Sequence, residues 1–363
     1  MKVKLEDVCE RGSSNLRQSD VVGKSGDYPI YGASGYIGNV DFYHQERPYA
    51  AVVKDGAGVG RAMLLPAKSS VIGTMQYLLP KGNVLPEYLY YVIRHMHLEK
   101  YFSGATIPHI YFRDYKTETF NLEPITCQAE IVTVLHCAEA IISARQQQLQ
   151  KLDELVKARF VEMFGDYLKD DRRPLSEVAI ITGGLTKNSN RNTFKTKMPY
   201  LRVANVFYNR LDLREILEIG VKEEEIEKTL LQAGDLLFVE GNGSIEQIGR
   251  VAIWDGSIDP ILHQNHLIKA RFNNEIIAPE YALFYFMLQD GRQQIISKSV
   301  STSGLNTLSV NKISSLLLPI PPIALQKQFG EFIKQTDKSK AAVQKALDEA
   351  QMLFDSLMQK YFG

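Results

Sequence analysis

Residues 127–165, CQAEIVTVLHCAEAIISARQQQLQKLDELVKARFVEMFG, decide the fold because they occur twice. An offset of 198 positions (165 to 363) carries Gln128 onto Gln326, Leu149 onto Leu347, Leu155 onto Leu353, and Phe164-Gly165 onto Phe362-Gly363. In the first copy Ile131, Val134, Leu135, Ala138, Ile142, Leu149, Leu152, Leu155 and Val156 recur at threes and fours between Gln, Glu, Lys and Arg. In the second, Phe329, Phe332, Val343, Leu347, Ala350, Phe354 and Leu357 do the same. That period lines one face of an α-helix with apolar side chains, and such a face must be buried. A single helix of this kind is marginal in water, so each copy is expected to pair with the other.

Working outward, Leu5-Glu6-Asp7-Val8 and Tyr28-Pro29-Ile30-Tyr31 correspond to Leu175-Ser176-Glu177-Val178 and Met198-Pro199-Tyr200-Leu201 at one shared offset of 170 (Leu5 to Leu175). Strand-like runs follow, Tyr49–Val53 and Asp235–Val239. Each leads through a glycine-rich turn into Gly60-Arg61-Ala62-Met63-Leu64 or Gly249-Arg250-Val251-Ala252-Ile253, the pattern of a hairpin. Pro86-Glu87-Tyr88 and Pro279-Glu280-Tyr281 open short helices, expected at Tyr88–His97 and Tyr281–Leu288, with Pro and an acid in the first turn. The first module spans 57 positions from Pro29 to Pro86 and the second 80 from Pro199 to Pro279, so the second carries about 23 extra residues. Pro-containing connectors, 120–125 and 316–322, precede the two long helices.

The expected fold is α+β: two pseudo-repeated globular domains, residues 1–125 and 166–322, separated by a pair of long antiparallel helices at 126–165 and 323–363. Related by a pseudo-twofold axis, such helices form a rod roughly 54 Å long at 1.5 Å per residue, with a globular head at either end.

Composition is that of a folded protein, 45% hydrophobic and 23% charged, and 363 residues suit two domains. No apolar run approaches the roughly 18 residues of a membrane span, and Met1-Lys2-Val3-Lys4-Leu5-Glu6-Asp7 lacks the apolar centre of a signal peptide, so a cytoplasmic location is expected. Cys9, Cys127 and Cys137 have neither a paired framework nor zinc-ligand spacing. The formal net charge of zero argues against a uniformly basic nucleic-acid binder and leaves room for a local basic face.

Catalytic motifs are absent: no P-loop, no Gly-x-Ser-x-Gly elbow, no His-Glu-x-x-His helix, and no Asn/Asp-Pro-Pro-aromatic tetrapeptide of amino-methyltransferases. Gly56-Ala57-Gly58-Val59-Gly60 has the wrong spacing for a dinucleotide fingerprint and reads as a hairpin turn. His95 and His97 read as surface or capping residues, and His263 and His266 as outward-facing residues of a strand. The stretch Thr182–Arg202 stands out. It holds Lys187, Arg191, Lys195, Lys197 and Arg202 without an acid, interleaved with Asn188, Ser189, Asn190, Asn192, Thr193 and Thr196. Cations neutralise phosphates while Asn and Arg read base edges; a solvated polar loop has the same composition.

With these elements in order, the chain resembles the specificity subunit of type I restriction-modification systems. The resemblance covers essentially the whole chain and is carried by Tyr31–Gly38, the Gly-Asp-Leu-Leu-Phe strand of 234–238, and Leu318-Pro319-Ile320-Pro321-Pro322-Ile323-Ala324-Leu325-Gln326-Lys327-Gln328. The first connector, 122–128, departs from the family's Pro-rich pattern. The resemblance implies a non-catalytic subunit with two target-recognition domains, each reading half of a split, asymmetric double-stranded DNA sequence. It also implies that the helices bind two adenine methyltransferase subunits, which carry S-adenosylmethionine, and that motor-nuclease subunits join for restriction. No cofactor is expected on the chain itself.

On this reading, loops 12–36 and 103–113 face one half-site, and loops 182–205 and 301–307 the other. Arg191, Lys195, Lys197 and Arg202 are candidates for phosphates, with Lys187 beside them; Asn188, Asn190 and Asn205 are candidates for bases; Arg17, Ser34, Tyr36, Lys54 and Arg113 are the first module's candidates. Arg145, Gln148 and Arg159 in one helix, and Thr336 and Lys340 in the other, interrupt the apolar seam and are expected to face partner subunits. Two rivals remain at this point: a non-catalytic coiled-coil scaffold with two protein-binding heads, and an enzyme whose active site has no recognised motif.

Overall fold

The computed structural model describes residues 1–104, 108–169, 172–302 and 304–363. They form two compact units, unit 1 of residues 1–148 with 343–363 and unit 2 of residues 149–342. In chain order the main elements are β1 (Cys9–Ser13), β2 (Tyr49–Val53), β3 (Ala62–Leu65), β4 (Met75–Pro80), α1 (Pro86–His95) and α2 (Ile125–Phe164). After these come β5 (Ala179–Gly183), α3 (Glu223–Thr229), β6 (Leu236–Val239), β7 (Val251–Ile253), β8 (Leu267–Phe272), α4 (Pro279–Met287), α5 (Gln289–Lys298) and α6 (Ile323–Phe362). The long helices are each 40 residues and keep the same offset at both ends.

The duplication is as plain in topology as in sequence. Unit 1 has an antiparallel sheet in the order β1-β4-β2-β3, and unit 2 repeats it as β5-β8-β6-β7. A three-stranded sheet accompanies each. In unit 1 Tyr28–Gly32 lies between Gly35–Val40 and a parallel partner, Ser70–Val71; in unit 2 Lys197–Leu201 lies between Leu217–Gly220 and a parallel partner, Leu262–His263. The second unit's extra length includes the small hairpin Val206–Phe207/Arg210–Leu211 and α3.

The central strands read as continuous apolar runs because both of their faces are covered. Ala50 and Val52 join the cluster of α1 and the long helices, while Tyr49, Ala51 and Val53 pack against Leu65, Val71 and Tyr77. In unit 2 Leu236 and Phe238 face the helices, and Leu237 and Val239 face Leu201, Val206 and Trp254.

Each unit contains one end of each long helix, and in each the beginning of one meets the end of the other, so they run antiparallel there. In unit 1 Ile131, Leu135 and Ala138 of α2 share a core with Phe354, Met358 and Phe362 of α6. In unit 2 Val156, Phe160 and Phe164 of α2 pack with Phe329 and Ile333 of α6; Phe160 stacks on Tyr281 of α4 at 5.6 Å and meets Phe329 edge-on at 5.3 Å. Contrary to the sequence expectation, α2 does contain an 18-residue window apolar enough for a membrane span, with mean hydropathy 1.4. The structure buries Ile131, Val132, Leu135 and Ala138 of this stretch in the core of unit 1 and leaves Val134 and Ile141 exposed.

The junction between sheet and helix is built identically in both units by a fully buried glutamine. Gln128 accepts the Leu85 N–H through Oε1 (2.9 Å) and donates from Nε2 to the Asn83 (3.0 Å) and Glu123 (2.8 Å) carbonyls. Gln326 accepts the Ala278 N–H (2.9 Å) and donates to the Ile276 (3.0 Å) and Pro321 (2.7 Å) carbonyls. Leu85 and Ala278 are the residues before the prolines that start α1 and α4. Each amide therefore ties the long helix to its own connector and to the start of the short helix.

Replacing Gln326 by Leu keeps the volume and strands three buried backbone groups, which is expected to cost about 3 kcal/mol. Trp254, the chain's single tryptophan, is buried in unit 2, so its fluorescence in a urea titration measures this loss.

Candidate nucleic-acid interface

The antiparallel pairing gathers loops at one end of each sheet. In unit 1 Ser13 pairs with Gln76, Val53 with Met75 and Val52 with Ala62, so loops 14–27, 54–61 and 72–74 emerge together. In unit 2 Gly183 pairs with Ile268, Val239 with Leu267 and Phe238 with Val251, so loops 184–196, 240–250 and 264–266 do likewise. A later loop docks on the glycine hairpin in both. The Ile110 N–H donates to the Lys54 carbonyl (3.0 Å) and Gly56 N–H to the Pro108 carbonyl (2.9 Å); in unit 2 the Leu308 N–H donates to the Glu240 carbonyl (2.8 Å). The loops chosen from sequence thus converge within each unit, and the glycine hairpins join them. Of the chosen loops, residues 105–107 and 303 lie outside the described residues.

In unit 1 Arg17 is exposed, with its backbone N–H bound to Asp20 (2.8 Å). Ser34 is exposed and, with Gln18, Ala33, Ala57, Arg61 and Thr74, lines a concavity of about 450 Å³. Tyr36 is 61% exposed and donates its hydroxyl to Asn39 (3.0 Å). Lys54 lies 3.7 Å from Asp55, and Arg113 is exposed over the Tyr111 ring at 4.7 Å. Arg61, whose guanidinium donates to the Ala33 carbonyl, was not among the sequence candidates. The Gly-Arg pair repeated at 60–61 and 249–250 is the signal that could have found it. The turn before it needs glycine: Gly60 has φ +87°, and a Cβ there would meet the Glu99 nitrogen at 2.4 Å.

In unit 2 Lys187, Asn188, Asn190, Lys195 and Lys197 are exposed, and the three lysines make no ion pair among the described residues. Lys187, Asn188, Asn192 and Lys197 border a concavity of about 260 Å³. Two sequence candidates are corrected. Arg191 is 6% exposed and spent inside the protein: Nη1 and Nη2 grip Glu225 at 3.0 and 2.8 Å, Nη1 also donates to the Gly220 carbonyl (3.0 Å) and Nε to that of Thr186. It holds the cationic loop against α3, with four of its five donors engaged and its charge paired, so it does not serve as a phosphate contact. Asn205 is 3% exposed, accepts the Arg202 N–H (2.9 Å) and donates to the Asp212 (2.8 Å) and Glu215 (3.0 Å) carbonyls, so it cannot read a base. Arg202 is half-buried and paired with Glu215 at 2.5 Å, which partly neutralises it.

His263 also departs from expectation. It is fully buried, its Nδ1 lies 2.8 Å from the Thr229 carbonyl, and burial pushes its pKa down to about 4. Lys269 Nζ, lowered to about 8 by burial, donates to the Lys228 (3.1 Å) and Leu230 (3.0 Å) carbonyls, and Arg271 grips Asp235 at 2.7 and 2.8 Å. These donors cap the C-terminal end of α3, as Arg191 holds its N-terminal half, and they make the support beneath the loop. His266 is exposed beside Glu240 (2.9 Å).

Along the helices, Arg145 is half-buried and donates to the exposed Gln148 (2.9 Å). Arg159 pairs with Glu162 (2.8 Å) and lies 6.0 Å from the Phe332 ring. Thr336 is a correction: it is buried, with its hydroxyl donating to the Phe332 carbonyl (2.9 Å), and offers nothing to a partner. Lys340 bridges the helices through Asp153 at 2.6 Å. Two residues that the sequence assigns to the buried apolar stripe are corrected, since Val134 in unit 1 and Leu155 in unit 2 are exposed; Ile141, Met352 and Leu353 in unit 1 and Val161 in unit 2 are further exposed apolar residues of the helices.

The family described as "Type I restriction modification DNA specificity domain" matches residues 1–154 and, a second time, 171–350. Among curated proteins, the chain is 28% identical over 218 residues to a Methanocaldococcus jannaschii protein assigned as the specificity subunit of type I restriction enzyme MjaX, covering 59% of this chain and 50% of that one. It is 30% identical over 173 residues to the type I restriction enzyme EcoKI specificity subunit of Escherichia coli, covering 45% and 36%. The matches thus span half or less of these relatives' lengths. The fold is similar to that of a type I restriction-modification S subunit from M. genitalium, with TM-score 0.62, 16% identity, and coverage of 100% of this chain and 96% of that one.

Arg191 holds the Glu225 carboxyl below its ordinary value, so its contribution to stability is complete above the ordinary Glu range and fades as pH falls through the lowered value. Replacing Arg191 by Met leaves a partly buried carboxylate unpaired and is expected to destabilise unit 2 by about 2 to 3 kcal/mol at neutral pH, with the deficit shrinking at acid pH. Trp254 fluorescence against urea at several pH values checks both the size and the sign.

Proposed function

We propose a function from one premise: this chain belongs to the type I restriction-modification DNA specificity family. On that premise it is the DNA-recognition component of such a system, each unit reading one half of a split, asymmetric sequence in double-stranded DNA. The observation that carries this is the gathering of recognition loops at one end of the same sheet in both units, with Lys187, Lys195 and Lys197 exposed and unneutralised in the second. Cations free of carboxylates are available to displace DNA counterions, and the neighbouring Asn188 and Asn190 suit adenine edges. Sequence differences between the two sets of loops favour an asymmetric target.

In this reading the chain acts without catalysing and takes no cofactor. S-adenosylmethionine belongs to two adenine methyltransferase subunits docked on α2 and α6, motor-nuclease subunits join for restriction, and the complex works in the cytoplasm. The domain limits that follow are 1–125 and 166–322 for recognition, with 126–165 and 323–363 as docking helices. The exposed apolar residues of the helices are better docking candidates than Thr336, because they lose water on contact and have no internal partner.

Deleting the gene should abolish adenine methylation at one split motif; a methylation map unchanged on deletion from an active locus would overturn the reading. With that motif in a duplex, Lys195→Gln with Lys197→Gln is expected to weaken binding and to lower the salt slope by about 2. Ile141→Glu is expected to impair methyltransferase assembly by gel filtration while leaving the fold intact.

A further inference from the structure

The small hairpin that unit 2 has gained over unit 1 brings Phe207, Tyr208 and Arg210 beside the repeated Gly-Arg pair. Phe207 has two guanidiniums against its ring, Arg210 at 4.6 Å and Arg250 at 5.3 Å; Arg292 of α5 lies 5.6 Å from the ring of Tyr208. Arg292 is locked by donating to the Ile245 (2.8 Å) and Ile248 carbonyls, and Tyr208 donates its hydroxyl to the Glu246 carbonyl (2.6 Å). These bonds orient the cations without neutralising them. Arg250 has only long contacts, 3.4 Å to Gln247 and 3.3 Å to the Val203 carbonyl, and its Nε is buried with no partner at all. Next to them Lys157 of α2, Tyr208, Arg292 and the apolar Phe284, Met287 and Leu288 line a cavity of about 320 Å³.

Among the described residues none of Lys157, Arg210, Arg250 and Arg292 forms a salt bridge. Bringing cations together costs Coulomb energy, and partial burial of Arg250 and Arg292 adds a desolvation cost, seen as a lowering of both pKa values by burial. Elsewhere in the same unit arginines in comparable settings have carboxylates, as Arg191 has Glu225 and Arg271 has Asp235. The one carboxylate near the group, Asp212 beside Arg210, is already gripped by Arg214, so the group is left able to take an anion from outside. Guanidiniums held by rings and carbonyls present their free N–H groups in a fixed plane, which suits phosphate oxygens, and the apolar floor of the cavity suits a sugar edge.

We propose that Arg210, Arg250, Arg292 and Lys157 form a phosphodiester-binding site on unit 2, which holds the DNA backbone flanking the half-site on the side of α2. This rests on the DNA-reading function proposed above. It adds a clamp separate from the base-reading loop 184–197. The clamp is peculiar to this half, because the hairpin that supplies Phe207, Tyr208 and Arg210 has no counterpart in unit 1.

The test uses the full chain assembled with its methyltransferase and a duplex carrying the methylated motif. Lys157 and Arg210 are exposed, so Lys157→Gln with Arg210→Gln spares the fold. This variant is expected to lower the slope of log affinity against log salt by about 2 while leaving base preference at every motif position unchanged. Arg292→Lys, which keeps the charge, should retain the slope better than Arg292→Gln. Neutral methylphosphonates placed one at a time along each strand should weaken binding of the parent at positions outside the half-site and have no further effect on the variant. An unchanged slope overturns the proposal while leaving DNA reading intact. Altered base preference also overturns it, since the site would then read bases. Lost methyltransferase assembly with an unchanged slope would assign the patch to a protein partner instead. A parent complex that binds no DNA would sink both this site and the proposed function.

Discussion

The buried amides of Gln128 and Gln326 hold together three stretches of backbone that could not otherwise meet. Each lies in the first turn of a long helix, where the chain enters from a connector containing proline. The connectors pair as strands only as far as Asn121 and Pro319, and the carbonyls of Glu123 and Pro321 beyond them need a donor from elsewhere. One side chain offering two donors and an acceptor meets that need and also takes the N–H ahead of α1 or α4. The short helix covers the sheet, and the sheet aims the loops. The direction of the recognition loops relative to the helix end in each unit therefore depends on this junction.

Charge is distributed by a comparable division of labour. The chain is neutral overall, with 42 basic and 42 acidic residues. Arg191, Arg202 and Arg271 spend their charge on Glu225, Glu215 and Asp235, and the first and last of these make the footing of the loop around α3. Among the described residues Lys187, Lys195, Lys197, Arg210, Arg250 and Arg292 form no salt bridge. Neutrality of the whole thus coexists with a strongly local excess, and the buried pairs make the exposed excess rigid.

The two units share their sheets and their helix junctions and differ in what is inserted between them. Unit 1 closes its Tyr28–Gly32 hairpin directly into Gly35–Val40, whereas unit 2 places a second hairpin between Lys197–Leu201 and Leu217–Gly220, and α3 after them. Duplication conserved the parts whose geometry is constrained by packing. The loops add only a few core residues each, such as Val21, Leu185 and Ile248, and differ between the units in the rest. The two loop ends therefore present different chemistry.

Much of the architecture was legible in sequence, because burial leaves a periodic trace. The repeat of 127–165, the apolar runs around Val52 and Phe238, the glycine turns and the prolines at 86 and 279 all mark their elements directly. What a polar residue does leaves no such trace. Arg191 and Lys195 stand four positions apart in one loop of uniform composition, yet one is an internal clamp and the other faces solvent. His263 is interior although the residues after it are polar, because its strand edge is covered by the end of α3. Arg250 was visible only as half of a repeated Gly-Arg pair, and its partners Arg210, Arg292 and Lys157 come from segments scattered between positions 157 and 292. Sequence by itself determined the duplication, the α+β class and the helix pairing, since these follow from periodicity along the chain. Only the tertiary structure decided which cations are spent and which are free, because that depends on carboxylates and carbonyls brought close by folding from positions far apart.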